Sequence, residues 1–257
     1  MNEYFSLARF YDRLMRDSDY NAWADFVEAI FRRAGASPRS VLDLACGTGV
    51  LTCLLAERGY ETIGVDLSEE MLMQARERAE ASSCPVKPLW ICQDLRELDL
   101  YGTSDATVCS FDGLNYVPPE DLGDVFRRVS YFTEPGGLFL FDVNTEEKFR
   151  RMDGMTYIDE DEDFFCAWRT DLDEEERALI YGVDIFWRVG ETWRRGGEEH
   201  TEYIQDPERL AALLEENGFT LLARFGELEL APPAPGADRV FYLARNDRRL
   251  PGDQAIQ

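Results

Sequence analysis

The chain has 257 residues, 45% of them hydrophobic, which is enough to bury one large core. With 51 acidic and 27 basic residues its net charge is −24, and such a surface argues against free nucleic acid as a partner. The sequence has no apolar run of about 18 residues and no basic-then-apolar leader, so we expect a cytoplasmic protein that does not enter a membrane. Six scattered cysteines without a C-x-x-C pair, and a single histidine, favour a reducing compartment and argue against a metal site.

Two amphipathic helices are predicted in residues 1–36. Apolar residues repeat at helical spacing over residues 4–15 and again over 23–31, and Gly35 stands where the second helix should end. We expect both helices to pack as a cap across the ligand-binding end of a sheet. Three tyrosines of this region either fill an ordinary helix core or reach the ligand: Tyr4, Tyr11 and Tyr20.

The most informative stretch is residues 41–50, VLDLACGTGV, an apolar run that ends in a glycine-containing turn. Helix-forming residues follow at once, so the stretch predicts the first strand, turn and helix of a nucleotide-binding α/β sheet. Gly47 and Gly49 allow the backbone to turn sharply and to approach a ligand closely. A dinucleotide-binding loop needs a small residue where Thr52 stands, so a ligand without a pyrophosphate fits better.

Acidic residues follow at the ends of the next strands. A second strand over residues 61–66 ends in Asp66, 23 positions beyond Asp43, where a carboxylate can accept hydrogen bonds from both ribose hydroxyls. A third strand over residues 89–93 leads into Asp94, which is also placed to cap a helix. The fourth strand ends in residues expected to line a pocket, with the last of them on its substrate side: Phe111, Asp112 and Tyr116.

These motifs resemble those of class I S-adenosylmethionine-dependent methyltransferases, with Ala45 where many members have glycine. The pattern Tyr-x-x-x-Ala-x-x-Tyr-Asp of residues 4–12 is similar to the leader of small-molecule members, including sugar N-methyltransferases. The resemblance implies S-adenosyl-L-methionine as the cofactor, with Asp66 on the ribose, Asp94 on the adenine and Tyr11 at the methionine end. The cofactor-binding residues that it implies are Tyr4, Tyr11, Asp43, Ala45, Cys46, Gly47, Gly49, Asp66, Leu67, Met71, Asp94, Leu95, Phe111 and Asp112.

The alternation of strands and helices stops between Met152 and Ile204, where three strand-like runs appear. The resemblance implies that residues 151–205 are an inserted antiparallel sheet that covers the active site and recognises the substrate. Candidate substrate-binding residues are Tyr20, Tyr116, Asn144, Trp168 and His200. Three of them have a plainer alternative: Asn144 as a helix cap, Trp168 as sheet core, and His200 as a structural partner of its neighbouring carboxylates rather than a general base.

The last part of the chain returns to the core. A helix begins at Asp206 and ends before Gly218, and two final strands follow without a helix between them, so they must pair antiparallel. The sequence thus predicts a Rossmann-like, doubly wound seven-stranded α/β sheet with a reversed C-terminal hairpin. Its cofactor-binding core covers residues 37–150 and 206–246, and residues 247–257 form a flexible tail.

The first hypothesis is a methyltransferase that acts on a small-molecule amine, hydroxyl or carboxylate. A tRNA or protein methyltransferase, a non-catalytic S-adenosylmethionine-binding protein and a nicotinamide oxidoreductase remain as alternatives, because cofactor motifs report the donor and not the acceptor. The sequence identifies no catalytic residue beyond the weak candidate His200, and it leaves a homodimer open. A positively charged sulfonium is already reactive, so a dedicated base is optional for an amine that is presented neutral.

Overall fold

The computed structural model describes residues 4–248, without the side chains of residues 4–6. Its helices are α1 Tyr4–Leu14, α2 Tyr20–Arg33, α3 Val50–Glu57, α4 Glu69–Ala81, α5 Leu122–Phe132, α6 Glu146–Met152 and α7 Pro207–Glu216. Its strands are β1 Ser40–Leu44, β2 Glu61–Asp66, β3 Leu89–Cys92, β4 Ser104–Cys109, β5 Thr133–Asn144, β6 Thr156–Asp161, β7 Phe164–Asp173, β8 Ala178–Val189, β9 Thr192–Tyr203, β10 Phe219–Phe225 and β11 Arg239–Asn246. Two short 3-10 turns, Leu95–Glu97 and Gly113–Tyr116, follow β3 and β4.

The main sheet has seven strands in the order β10-β11-β5-β4-β1-β2-β3. Strands β1 to β5 pair in parallel, whereas β11 runs antiparallel to both β5 and β10. The reversal follows from the chain itself, because the link between β10 and β11 contains no crossover helix. The predicted fold class, including the reversed terminal hairpin, is confirmed.

Helices cover both faces of this sheet. One face packs against α5 and α7, and the other packs against α2 and α3. The position of α2 on the sheet face corrects our expectation that both N-terminal helices form a cap. The apolar stripe of α2 lies on the sheet face instead: Trp23, Phe26, Val27, Ile30 and Phe31. An amphipathic stripe shows that a helix is buried but not which surface buries it.

The first helix, in contrast, packs against the inserted sheet. Leu7 and Ala8 lie in one cluster with Met71 of α4 and with apolar side chains of β7 and β8. Arg16 adds an ion pair to Asp159 of β6 at 2.7 Å. Helix α1 is thus held between the core and the insert.

The inserted sheet has four antiparallel strands in the order β6-β7-β8-β9, where the sequence predicted three. The strand that the sequence missed is β6, which reads TYIDED and lies at the sheet edge with most of its residues exposed. A charged edge strand has no apolar alternation, and charge at an edge is a common protection against unwanted pairing.

Two remaining expectations concern the surface of the molecule. None of the helices within residues 4–248 is long and apolar enough to cross a bilayer. The predicted tail lies outside the described residues except for Asp247 and Arg248. Both of these are attached to the core, Asp247 through its amide to Gly218 at 2.8 Å and Arg248 through its amide to Asn246 at 3.1 Å.

Candidate active site

The turn after β1 holds the carboxylate at the end of β2. The amide of Gly47 donates to one Asp66 carboxylate oxygen at 2.7 Å, and the amide of Ser68 donates to the other at 2.9 Å. A carboxylate has about four acceptor positions, so the two oxygens can accept further hydrogen bonds. Burial raises the pKa of Asp66, and these amide hydrogen bonds oppose that rise.

The two glycines of the turn have different surroundings. Both have positive φ, 54° at Gly47 and 71° at Gly49. A Cβ on Gly47 would meet only a ring carbon of Tyr11 at 3.9 Å, so the backbone there forms an open cradle beneath Tyr11. A Cβ on Gly49 would lie 2.4 Å from the Trp90 ring and 2.8 Å from Ala75. Gly49 therefore allows close packing of the sheet and α4, whereas Gly47 leaves room for a ligand.

Asp43 lies beneath the turn rather than in it. It is only 2% exposed and accepts a hydrogen bond from the Thr52 hydroxyl. Burial raises the pKa of Asp43 to about 7. Thr52, which argued against a dinucleotide loop, is thus the partner of the motif's first acid. Cys46 is packed nearby, and burial raises the pKa of its thiol well above the usual value.

The predicted adenine residues lie around the ends of β2 and β3. Leu67 is 58% exposed, Met71 is buried in the cluster beneath α1, and Leu95 is partly buried against the main core. Asp94 caps the following 3-10 turn by accepting the Arg96 amide at 2.8 Å, and its carboxylate pairs with the Arg96 guanidinium at 2.6 Å. Hydrogen bonds from this guanidinium lower the pKa of Asp94. Asp94 therefore has the capping role that the sequence offered as an alternative.

Helix α1 closes over the turn. The Thr48 hydroxyl donates to Asp12 at 2.6 Å, and Arg78 of α4 pairs with Asp12 while donating to the Thr48 carbonyl at 3.1 Å. Tyr11, the residue before Asp12, faces inward. Burial raises the pKa of its phenol above the usual range, and nearby groups add to the rise: Tyr20, Asp112, Asp66 and Glu202. The side chain of Tyr4 lies outside the described residues.

Backbone strain is concentrated at the end of β4. Phe111 and Asp112 both have a φ of 57°, which costs about 1–3 kcal/mol for each residue without a compensating contact. Phe111 stacks on Trp23 with 3.9 Å between ring centroids, and its ring lies 4.8 Å from that of Tyr20. Asp112 pairs with Arg239 of β11 at 2.7 Å. These contacts hold the strained residues, and such strain is common at functional sites.

Strand β9 turns three polar side chains toward the space between the sheets. Glu198, His200 and Glu202 are spaced two apart, so they share one face of the strand. Glu198 accepts the Leu7 amide of α1 at 3.0 Å, and His200 bonds to Glu198 at 3.1 Å. Glu202 is 4% exposed and accepts the side-chain amide of Asn144 at 3.0 Å.

The side chains facing β9 complete an aromatic and polar chamber. The Tyr116 ring lies edge-on to His200 with 6.2 Å between centroids. Tyr116 is 49% exposed, and burial together with the neighbouring Glu202 and Asp112 raises the pKa of its phenol. Burial and the nearby carboxylate of Glu202 raise the pKa of the Tyr181 phenol of β8. Trp168 packs instead among apolar side chains of α1 and the insert, which matches its alternative role as sheet core.

Asn144 is not a helix cap. The cap of α6 is Thr145, which accepts the Lys148 amide at 3.2 Å. The Lys148 ammonium donates to the side-chain carbonyl of Asn144 at 2.9 Å, which turns the amide nitrogen of Asn144 toward Glu202. Residues 4–248 contain no group of three or more His, Cys, Asp or Glu residues placed to hold a metal ion.

Comparisons with known proteins agree with this geometry. A family model described as a methyltransferase domain matches residues 41–137. The protein named "Putative methyltransferase YqeM" of Bacillus subtilis (strain 168) is 33% identical over 250 residues, which cover 96% of this chain and 98% of YqeM. The chain belongs to the class I S-adenosylmethionine-dependent methyltransferases.

Solved structures extend the likeness of this methyltransferase to the whole fold. An S-adenosylmethionine-dependent methyltransferase from Clostridium acetobutylicum ATCC 824 has a TM-score of 0.84 and 30% identity, over 95% of this chain and 99% of that one. CalS10, an amino pentose methyltransferase from Micromonospora echinaspora, has a TM-score of 0.70 and 21% identity, over 90% and 93%. At that identity CalS10 shows the fold alone.

The residues present in this methyltransferase fit its cofactor, S-adenosylmethionine. The open cradle above Gly47 lies next to an Asp66 carboxylate whose oxygens can accept more hydrogen bonds. Sequence reasoning missed several residues of the chamber, namely Tyr181, Glu198, Glu202, Lys148 and Arg239. The spacing of Glu198, His200 and Glu202 in the sequence was the available signal, because acids at alternate positions of a strand share one face.

Proposed function

We propose that the protein transfers the methyl group of S-adenosylmethionine to a small-molecule acceptor that carries an amine, hydroxyl or carboxylate group. The single observation that supports a small acceptor is that helix α1 is fixed over the site from two sides. It is bonded to the inserted sheet through Leu7 and Glu198, and to the turn after β1 through Asp12 and Thr48. A macromolecular acceptor would have to open both contacts.

The cofactor would be held along the carboxyl ends of β1 to β4. Asp66 would accept the ribose hydroxyls, Leu67 and the segment of Asp94 and Leu95 would surround the adenine, and the turn with Tyr11 would hold the methionine end. Phe111 and Asp112 would line the same pocket beside them. Each role is supported by position: Asp66 lies at a strand end beside the Gly47 cradle, and Tyr11 covers that cradle.

S-adenosylmethionine supplies, when bound, a methyl group on a positively charged sulfur. The residues of the chain would bind the acceptor, align its nucleophilic atom and exclude water. Alignment of this kind contributes up to roughly 7–11 kcal/mol in favourable cases. The acceptor would lie among the chamber residues, with Tyr20 at the edge nearest to α1.

Charge supports the small acceptor over tRNA. The net charge is −24, and an RNA-binding face needs clustered basic side chains that are free to meet phosphates. Most arginines near the chamber are already paired with carboxylates, as Arg239 is with Asp112 and Asp142. All six cysteines lie in the described part of the chain and none forms a disulfide, which supports a cytoplasmic setting.

The test is calorimetric titration with S-adenosylmethionine and S-adenosylhomocysteine, followed by a methyl-transfer screen over amines, amino sugars, carboxylates, tRNA and protein. We expect micromolar cofactor binding and transfer to a small molecule. NADH serves as a control ligand and should not bind. Folded protein that binds neither cofactor form would contradict a methyltransferase activity, and transfer to tRNA or protein alone would contradict a small acceptor.

A further inference from the structure

One buried carboxylate of the chamber is held by a neutral donor. Glu202 accepts the side-chain amide of Asn144 at 3.0 Å and is only 4% exposed. Its backbone is fixed within β9, opposite Leu179 of β8. The Lys148 ammonium orients the Asn144 amide by binding its carbonyl oxygen. The Glu202 carboxylate is thus positioned by a residue of β5 whose own orientation is set by α6.

This carboxylate lies close to the cofactor turn. Its partner Asn144 is the last residue of β5, and the parallel neighbour β4 leads into Asp112 at the same end of the sheet. The Tyr11 ring covers the Gly47 cradle at that end as well. With the cofactor in its proposed place, Glu202 would therefore lie on the side where an acceptor meets the transferable methyl group.

We infer that Glu202 accepts the proton of the methyl acceptor, and that this acceptor is an amine arriving as an ammonium ion. The inference rests on the proposed function. In this step one N–H bond of the ammonium breaks, and its proton bonds to a Glu202 carboxylate oxygen. The electron pair of that bond stays on nitrogen, so the amine becomes neutral and nucleophilic.

The groups around Glu202 favour this role over the earlier candidate, His200. His200 bonds to Glu198, which in turn holds α1, so both have structural partners. Burial, followed by the charge of Asp112, raises the pKa of Glu202, which brings it nearer to that of an ammonium. The charged and titratable groups that face Glu202 are Asp112, Lys148, Arg239, Tyr181, Tyr116 and Tyr11.

Sinefungin is a suitable probe because it carries a primary amine where the cofactor carries its methyl group on sulfur. S-adenosylhomocysteine lacks both groups and serves as the reference ligand. We would measure both dissociation constants by calorimetry for the wild type, Glu202→Gln and Glu199→Gln. Glu199 is a matched control, since its exposed side chain lies on the opposite face of the same strand.

Glu202→Gln should raise the dissociation constant of sinefungin by about tenfold or more and leave that of S-adenosylhomocysteine unchanged. The reason is that only sinefungin presents an ammonium to the carboxylate. Glu199→Gln should change neither ligand. Equal weakening of both ligands, or no change in either, would overturn the inference. If the wild type binds neither ligand, the proposed function itself fails.

A second measurement needs no variant. In the wild type the preference for sinefungin over S-adenosylhomocysteine should increase as the pH rises from 6 to about 8, because Glu202 gains its charge while the amine keeps its own. Asn144→Ala, which removes the hydrogen bond that the Asn144 amide donates to Glu202, should shift this increase to higher pH. A preference that stays constant across the range would overturn the inference.

Discussion

Asp12 accepts a hydrogen bond from the hydroxyl of Thr48 at 2.6 Å, which attaches the N-terminal helix directly to the turn after β1. The same carboxylate pairs with Arg78, which also binds the Thr48 carbonyl. The insert holds the helix from its other side through Glu198 and the Leu7 amide. Helix α1 is therefore attached both to the turn after β1 and to the inserted sheet.

Replacing Asp12 by Asn should loosen α1 from the turn. The ion pair is partly exposed, so we expect a modest loss of about 1 kcal/mol, seen as a weakening of S-adenosylhomocysteine binding by about fivefold. Limited proteolysis should cut α1 faster, while the melting temperature changes little because α1 lies outside the main core. Asp17→Asn, at an exposed position beyond the helix, is the control. Unchanged affinity and proteolysis would show that the contact does not close the site.

Asp66→Ala should raise the dissociation constant for S-adenosylhomocysteine by about tenfold or more, because it removes charge-assisted hydrogen bonds to the ribose. It also leaves the Gly47 and Ser68 amides without their present acceptor. Calorimetry at constant pH measures the effect. Glu61→Ala, at the exposed start of the same strand, should bind like the wild type. Wild-type affinity in Asp66→Ala would refute the ribose assignment.

The two glycines of the turn should respond differently to alanine. Gly49→Ala combines a positive φ with a clash against Trp90, so we expect it to lower the free energy of unfolding by roughly 2–5 kcal/mol. Gly47→Ala adds only the backbone strain, about 1–2 kcal/mol, but its methyl group would enter the cradle and prevent cofactor binding. Urea denaturation and calorimetry separate the two effects. Equal stability losses in the two variants would contradict this division of roles.

Stability should depend on pH through Asp43. Burial raises its pKa from 3.8 to about 7, so between these values the folded protein holds a proton that the unfolded chain releases. Stability should therefore decrease as the pH rises from 5 to 7.5, and raised pKa values at Asp66 and Asp142 act in the same direction. Urea midpoints at the two pH values test this. Asp43→Asn should reduce the difference and Asp17→Asn should not, whereas a midpoint that rises with pH would contradict the prediction.

Local signals in the sequence were sufficient to predict the main sheet and the end of it where the cofactor motifs lie. The run at residues 41–50 contains its own strand, turn and helix, and the strand-ending acids follow from chain order alone. The reversed hairpin followed from the missing crossover helix. Features of this kind are determined within a few residues, or by whether a connection contains a helix.

The acceptor side could not be predicted in the same way. Glu202 acquires its environment from Asn144, Lys148 and Tyr181, which lie on separate elements far along the chain. The alternate spacing groups Glu202 with Glu198 and His200 on one face of the strand, but it does not show that this face is buried and the face of Glu199 exposed. The prediction that α2 lies in a cap was wrong for a similar reason, because tertiary packing decides which surface covers an apolar stripe.

Helix α1 forms part of the wall of both binding regions. With cofactor and acceptor in their proposed places, a spent cofactor and a methylated product would both be retained while Asp12 and Leu7 keep their partners. Their departure would then be one event, the undocking of a single helix. We expect the overall turnover rate to be limited by this movement, and so to depend on solvent viscosity more than on the reactivity of the nucleophile.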